Sequence, residues 1–179
     1  LPSSTAATYR AQRKLLESDF SVDVSDAVYS GEAVVGRVES DSLKEGADYD
    51  VAYSDNVNAG TATVGVTGKG FYTGTLSYTF KIDPAAITAD MISGIPAKVE
   101  ATGEQLRPEP TVKFNGKTLE KGKDYTVAYG ENKEPGKGTV TVAAVEGGNF
   151  TESATVEFEI EKKAEPVNPD PGTGGGGTD

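Results

Sequence analysis

The chain is predicted to be all-β, folded as two tandem small β-sandwiches, and three observations carry that prediction. The stretch GADYDVAYSDN at 46–56 is spelled almost again as GKDYTVAYGEN at 122–132. The segments LSYTFKI (76–82) and ATVEFEIE (154–161) alternate apolar with polar residues, the period of a half-buried strand. Helical periodicity is nearly missing. The one candidate, AATYRAQRKLLE at 6–17, places Tyr9 and Leu16 on one helical face, and it reads equally well as the closing strand of a preceding repeat.

The two copies align well beyond the opening motif. Leu43 pairs with Leu119, Gly46 with Gly122, Asp48 with Asp124, Tyr49 with Tyr125, Tyr53 with Tyr129, Asn56 with Asn132, and Gly60 with Gly136. Further on the offset grows by two residues, so that Tyr72 meets Phe150, Phe80 meets Phe158 and Ile82 meets Ile160. Upstream, Ser30-Gly31 answers Thr102-Gly103 at an offset four residues shorter than that of the motif. Length changes confined to loops are what homologous units accumulate. The organisation read from this is a lead, or the end of a preceding repeat, at 1–14, a first repeat at 15–83, a second at 84–161, and a linker at 162–179. In the linker Pro166, Pro169 and Pro171 stiffen the chain and the glycines beyond loosen it.

Within each copy the elements follow from local chemistry. VVGRVESDSL (34–43) is shorter than LRPEPTVKFNGKTL (106–119) and is expected to lack a full hairpin; in the longer version Asn115-Gly116 signals a two-residue turn, because both positions tolerate φ > 0. In LKEGADYDVAY and LEKGKDYTVAY a glycine turn at Gly46 or Gly122 leads into a strand, and Asp48 and Asp124 are read as turn-capping residues. Tyr49, Val51 and Tyr53 fall on one face, as do Tyr125, Val127 and Tyr129. Gly68, Gly70 and Gly74 mark a tight connection. In the last strand a register slip would turn Glu157, Glu159 and Glu161 inward, so the pairing is specified.

Composition narrows the function classes. The chain has no cysteine and no histidine, which excludes disulfides, thiolate nucleophiles, His/Cys zinc sites and imidazole-dependent triads. Its net charge of −11 repels phosphate backbones and anionic membrane faces, so neither nucleic acid nor a membrane surface is an expected partner. No apolar run approaches spanning length and no cleavable signal is visible; a chain opening on Leu1 reads as a processed product or an excised fragment. LPSST at 1–5 lacks the Thr-Gly pair of a sortase signal, and GKGFYTG lacks dinucleotide-fingerprint spacing. Asp48, Asp50 and Asp55 do not form an EF-hand loop. No catalytic residue, cofactor or metal is therefore assigned, and the chain is not expected to be an enzyme. Asn149-Phe150-Thr151 is a glycosylation sequon. Two aromatics near predicted loops, Tyr29 and Phe71, are the candidate ligand contacts, with Phe71 having no aromatic counterpart in the second copy.

The order SG, GxDYxVxYxxN, GTATVxVxGKGxYTG and TFKI over residues 15–161 resembles the bacterial Ig-like repeats of large secreted and cell-wall proteins, mostly of Gram-positive bacteria. DMISGIP at 90–96 resembles the way such repeats open. The resemblance implies Ig-like sandwiches in an extracellular or cell-wall setting, non-catalytic, with neighbouring repeats of the same chain as principal partners. The function it implies is a spacer, with weak adhesion; the alternative is an adhesin module for a host or cell-wall glycan or protein. The Leu-x-x-Gly-x-acid-Tyr spacing is similar to that of fibronectin type III modules and to a tyrosine corner, in which a buried Tyr49 or Tyr125 hydroxyl would bond upstream backbone. Some Gram-positive sandwiches carry a Lys–Asn isopeptide bond, for which Lys98 and Asn149 are the conceivable pair here. VEGGNFTES (145–153) departs from GKGFYTG, so the last turn of the second copy is expected to differ in shape. Units this short also leave open a β-grasp-like sheet as the alternative fold.

Overall fold

A computed structural model describes residues 10–166, and within them the chain is all-β and sandwich-like. The first half contains β1 (Arg13–Lys14), β2 (Ser21–Asp23), β3 (Ala27–Val28), β4 (Arg37–Glu39), β5 (Tyr49–Ser54), β6 (Gly60–Gly68), β7 (Tyr72–Thr73) and β8 (Thr75–Asp83). The second contains β9 (Ala85–Ala86), β10 (Ile92–Ser93), β11 (Lys98–Glu100), β12 (Thr111–Phe114), β13 (Lys117–Thr118), β14 (Tyr125–Tyr129), β15 (Gly136–Ala144), β16 (Phe150–Thr151) and β17 (Ser153–Glu161). Single 3-10 turns, Glu17–Asp19 and Ala89–Met91, follow β1 and β9. Among the described residues no helix is long and apolar enough to cross a membrane. The LPSST stretch, the lead up to residue 9 and the linker from residue 167 lie outside the described residues.

The halves repeat one topology. A four-stranded sheet has the order β3-β8-β6-β5 in the first and β11-β17-β15-β14 in the second. In each, the early strand runs parallel to the last one, with Ala27 beside Ile82 and Val99 beside Ile160. A smaller ribbon covers one face: β2 with β4, and β10 with β12 and β13. Every strand pairing among the described residues joins strands of the same half.

Alternation decides which face is covered. Along β8, Phe80 and Ile82 are buried and Leu76 and Tyr78 half-buried, while Thr75, Ser77, Thr79 and Lys81 are exposed; β17 does the same with Phe158 and Ile160. Across from them Ala62, Val64 and Val66 of β6, and Val140 and Val142 of β15, are sealed from solvent. Burying each large side chain is worth about 1.5–3 kcal/mol, which anchors these hairpins. The opposite face is polar, with Thr141 and Thr155 hydroxyls 2.8 Å apart and Lys137 paired to Glu157 at 2.7 Å.

The stretch at 6–17 forms no α-helix over its described part. Arg13 and Leu15 donate their N–H groups to Phe71 O and Thr73 O, both at 2.9 Å, and Leu15 enters the core at 1 % exposure. Leu15, not Leu16, is the anchor, because β geometry sends consecutive side chains to opposite sides. Ile87 holds the equivalent place after β9.

The repeated motif has two structural tasks. In its first part the Asp48 carboxylate accepts from Lys44 N at 2.9 Å and Gly46 N donates to Tyr49 O at 2.7 Å; Asp124 accepts from Glu120 N at 2.8 Å and Gly122 N reaches Tyr125 O at 2.7 Å. Gly46 and Gly122 sit at φ of +82° and +86°, where a Cβ is strained. Tyr49 and Tyr125 then enter the core, but the hydroxyl that bonds upstream backbone is that of Tyr53, to Gly36 O at 2.8 Å. Burial of the two rings pushes their hydroxyls above the ordinary tyrosine range. The second task belongs to the final Asn. Asn132, 1 % exposed, donates to Thr139 O (2.9 Å) and Leu106 O (3.4 Å) and accepts from Thr139 N (2.8 Å). Asn56 donates to Val34 O at 2.8 Å in the same place.

An Asn132→Ala substitution is expected to cost about 1–3 kcal/mol, since it leaves buried backbone groups unpartnered. Urea denaturation of the full chain checks it; an unchanged midpoint would show that Asn132 holds nothing.

Candidate functional site: the joint between the halves

The chain passes from β8 to β9 through Pro84 alone, so the halves meet directly. From the first half come the turn at Tyr29 to Glu32 and the loop at Asn58 and Ala59. From the second come the tip of the β12–β13 hairpin and the loop between β15 and β16. The hairpin turns at Asn115-Gly116, with φ of +46° and +79° and Phe114 registered with Lys117. In the first half the corresponding stretch after β4 is only a bend, at Asp41 and Ser42. The second-half loop spans 145–149 where the first-half loop spans 69–71, which is where the two-residue offset arises.

Both elements that distinguish the second copy therefore lie at this joint. Tyr29 stacks on Phe114 with centroids 5.8 Å apart and planes at 14°, and meets Phe150 edge-on at 5.4 Å; Phe114 and Phe150 meet edge-on at 5.2 Å. Aromatic pairs of this kind add about 0.5–1.5 kcal/mol each beyond area burial. Around them, Asn149 Oδ1 accepts from Ala59 N at 2.9 Å and its Nδ2 donates to Asn58 Oδ1 at 3.1 Å. Asn115 Nδ2 donates to Ser30 O at 3.0 Å, and Lys117 lies 3.6 Å from Glu32 across an exposed rim.

A cleft of about 300 Å³ opens beside these contacts, with Tyr29, Asn58, Lys117, Lys123 and Asn149 on its walls. Its cations are already answered. Lys117 faces Glu32, and Glu120 at 3.2 Å holds the Lys123 ammonium above the ordinary lysine range. A wider cleft of about 550 Å³ lies along β17, where Glu157 pairs with Lys137 and Glu159 with Lys98. Arg13 pulls the Asp19 carboxyl down, and Lys121 does the same to Glu109. Those directions are opposite to the one a general acid needs. Among the described residues no group of three or more Asp or Glu side chains is arranged to hold a metal ion.

The candidate residues separate clearly. Tyr29, read from sequence as a loop aromatic available to ligand, is half-buried in the joint. Phe71 is 53 % exposed, with the Arg10 guanidinium 5.4 Å above its ring. Gly46, Asp48 and Tyr49, with Gly122, Asp124 and Tyr125, build the turns and cores described above. Asn149 of the sequon has both side-chain polar atoms engaged at the joint, while Lys98 pairs with Glu159 and Glu161 beside the end of β17, so the conceivable isopeptide partners face different neighbours. The role of Phe114 and Asn149 was missed from sequence; their restriction to one copy was the available signal. No family model matches the chain, and no curated protein matches it.

Tyr29→Ala is expected to lower stability by about 1–3 kcal/mol and to speed hydrogen exchange at Ala59, whereas Phe71→Ala stays within about 0.5 kcal/mol of the parent. Denaturation with amide-exchange mass spectrometry separates the two; equal effects would remove the distinction between joint and free surface.

Proposed function

We propose that this chain is a non-catalytic spacer segment of a bacterial surface protein, built from two Ig-like repeats. The observation that carries the reading is the joint. The features by which the second copy departs from the first are used to grip its neighbour, and a one-residue connection leaves little slack between them. Repeats that contact mainly their neighbours extend reach as copies are added. Strand direction supports the reading as well. β3 runs parallel to β8, and β11 to β17, so opposed pulls on the two ends of a repeat load these hydrogen bonds together in shear.

A second reading, an adhesin module for glycan or protein, is favoured by one observation: Phe71 is exposed in the first copy, and Asn149 replaces it in the second. The full chain is expected to give two unfolding steps of similar height when pulled from its termini, and no retention on purified cell walls or a glycan and matrix array. Saturable retention lost on Phe71→Ala would move the assignment to the adhesin.

A further inference from the structure

The hairpin tip at the joint joins a reactive dipeptide to a contact between the halves. Asn115 and Gly116 are exposed, and both adopt positive φ, a conformation that costs a non-glycine residue energy. The Gly116 N–H donates to no described backbone carbonyl, so the nitrogen that would attack is not held. The Asn115 amide, by contrast, is held by Ser30 O at 3.0 Å, on the other half of the molecule.

We propose that Asn115 is a site of spontaneous deamidation, gated by opening of the joint, whose products no longer close it. With the joint shut, the bond to Ser30 O pins the side chain toward the first half, and cyclisation requires that bond to break and the turn to relax. Once it is free, the Gly116 nitrogen attacks Asn115 Cγ. The new N–Cγ bond forms as the Cγ–Nδ2 bond breaks; the Gly116 nitrogen gives up its proton to solvent base, and the departing nitrogen takes one and leaves as ammonia. Water then opens the succinimide at either carbonyl, to aspartate or to isoaspartate. No oxidant, metal or cofactor enters. An aspartate here has lost the donor and sets a carboxylate against Ser30 O. An isoaspartate adds a backbone atom and also misplaces the Phe114–Lys117 pairing that positions Phe114 under Tyr29. Joint opening is thereby converted into a lasting covalent change. The inference rests on the geometry of the joint and stands whether or not the chain is a spacer.

The test incubates the full chain in mildly alkaline buffer at body temperature and follows Asn115 by peptide mass spectrometry together with ammonia release. Asn115 is expected to convert to acid several-fold faster in Tyr29→Ala than in the parent. Asn149→Ala, which removes the other polar clasp, should accelerate it in the same direction and serves if Tyr29→Ala does not fold. Asn115→Asp is expected to exchange the Ala59 amide several-fold faster than the parent. Equal conversion rates in the parent and in a folded joint variant would overturn the gating, no conversion in any of them would overturn the site, and unchanged exchange at Ala59 in Asn115→Asp would overturn the consequence.

Discussion

The long antiparallel pairings, β6 with β8 and β15 with β17, set the terms for the rest of the molecule. Their register puts Val64 opposite Tyr78 and Val140 opposite Val156, and alternate side chains along them turn toward the core. Because the period is two, a slip of a single residue would bury Glu157 and Glu159 and expose Phe158 and Ile160. No disulfide shares this task in a chain without cysteine. The motif turns at Gly46 and Gly122, the Asn clamps and the parallel early strands all attach to a frame that this register has already defined.

Much of that frame was legible in the sequence. The alternation in LSYTFKI and ATVEFEIE has one good β solution, and Asn115-Gly116 has one good hairpin solution, so local chemistry sufficed. The tyrosine motif was half legible. Burial of Tyr49 and Tyr125 follows from the pattern, but which hydroxyl finds a backbone carbonyl depends on where Gly36 lies, and that is a tertiary fact. Leu15 was obscured because two adjacent leucines fit helix or strand equally well, and only pairing with β7 separates them.

The joint was the least legible part. Tyr29, alone in its loop, has the appearance of an exposed aromatic, and its partners Phe114 and Phe150 stand far away in sequence. No periodicity links residues that meet only when two sheets come together. The relevant signal was comparative and internal to the chain: the hairpin and the longer loop, present in one copy only. Differences between the halves mark where one of them touches something, and here what it touches is the other half.

The single-residue passage from β8 through Pro84 to β9 also bears on how the molecule is made. As the chain is synthesised, the first half completes its sheet with β8 before most of the second half exists, since domains generally fold as units from the N-terminal end. The Tyr29 turn and the Asn58 loop are then already in place, while the hairpin and the 145–149 loop have yet to emerge. The second half thus assembles against a finished surface. The order of translation supplies a template that a refolding chain, released from denaturant all at once, does not have.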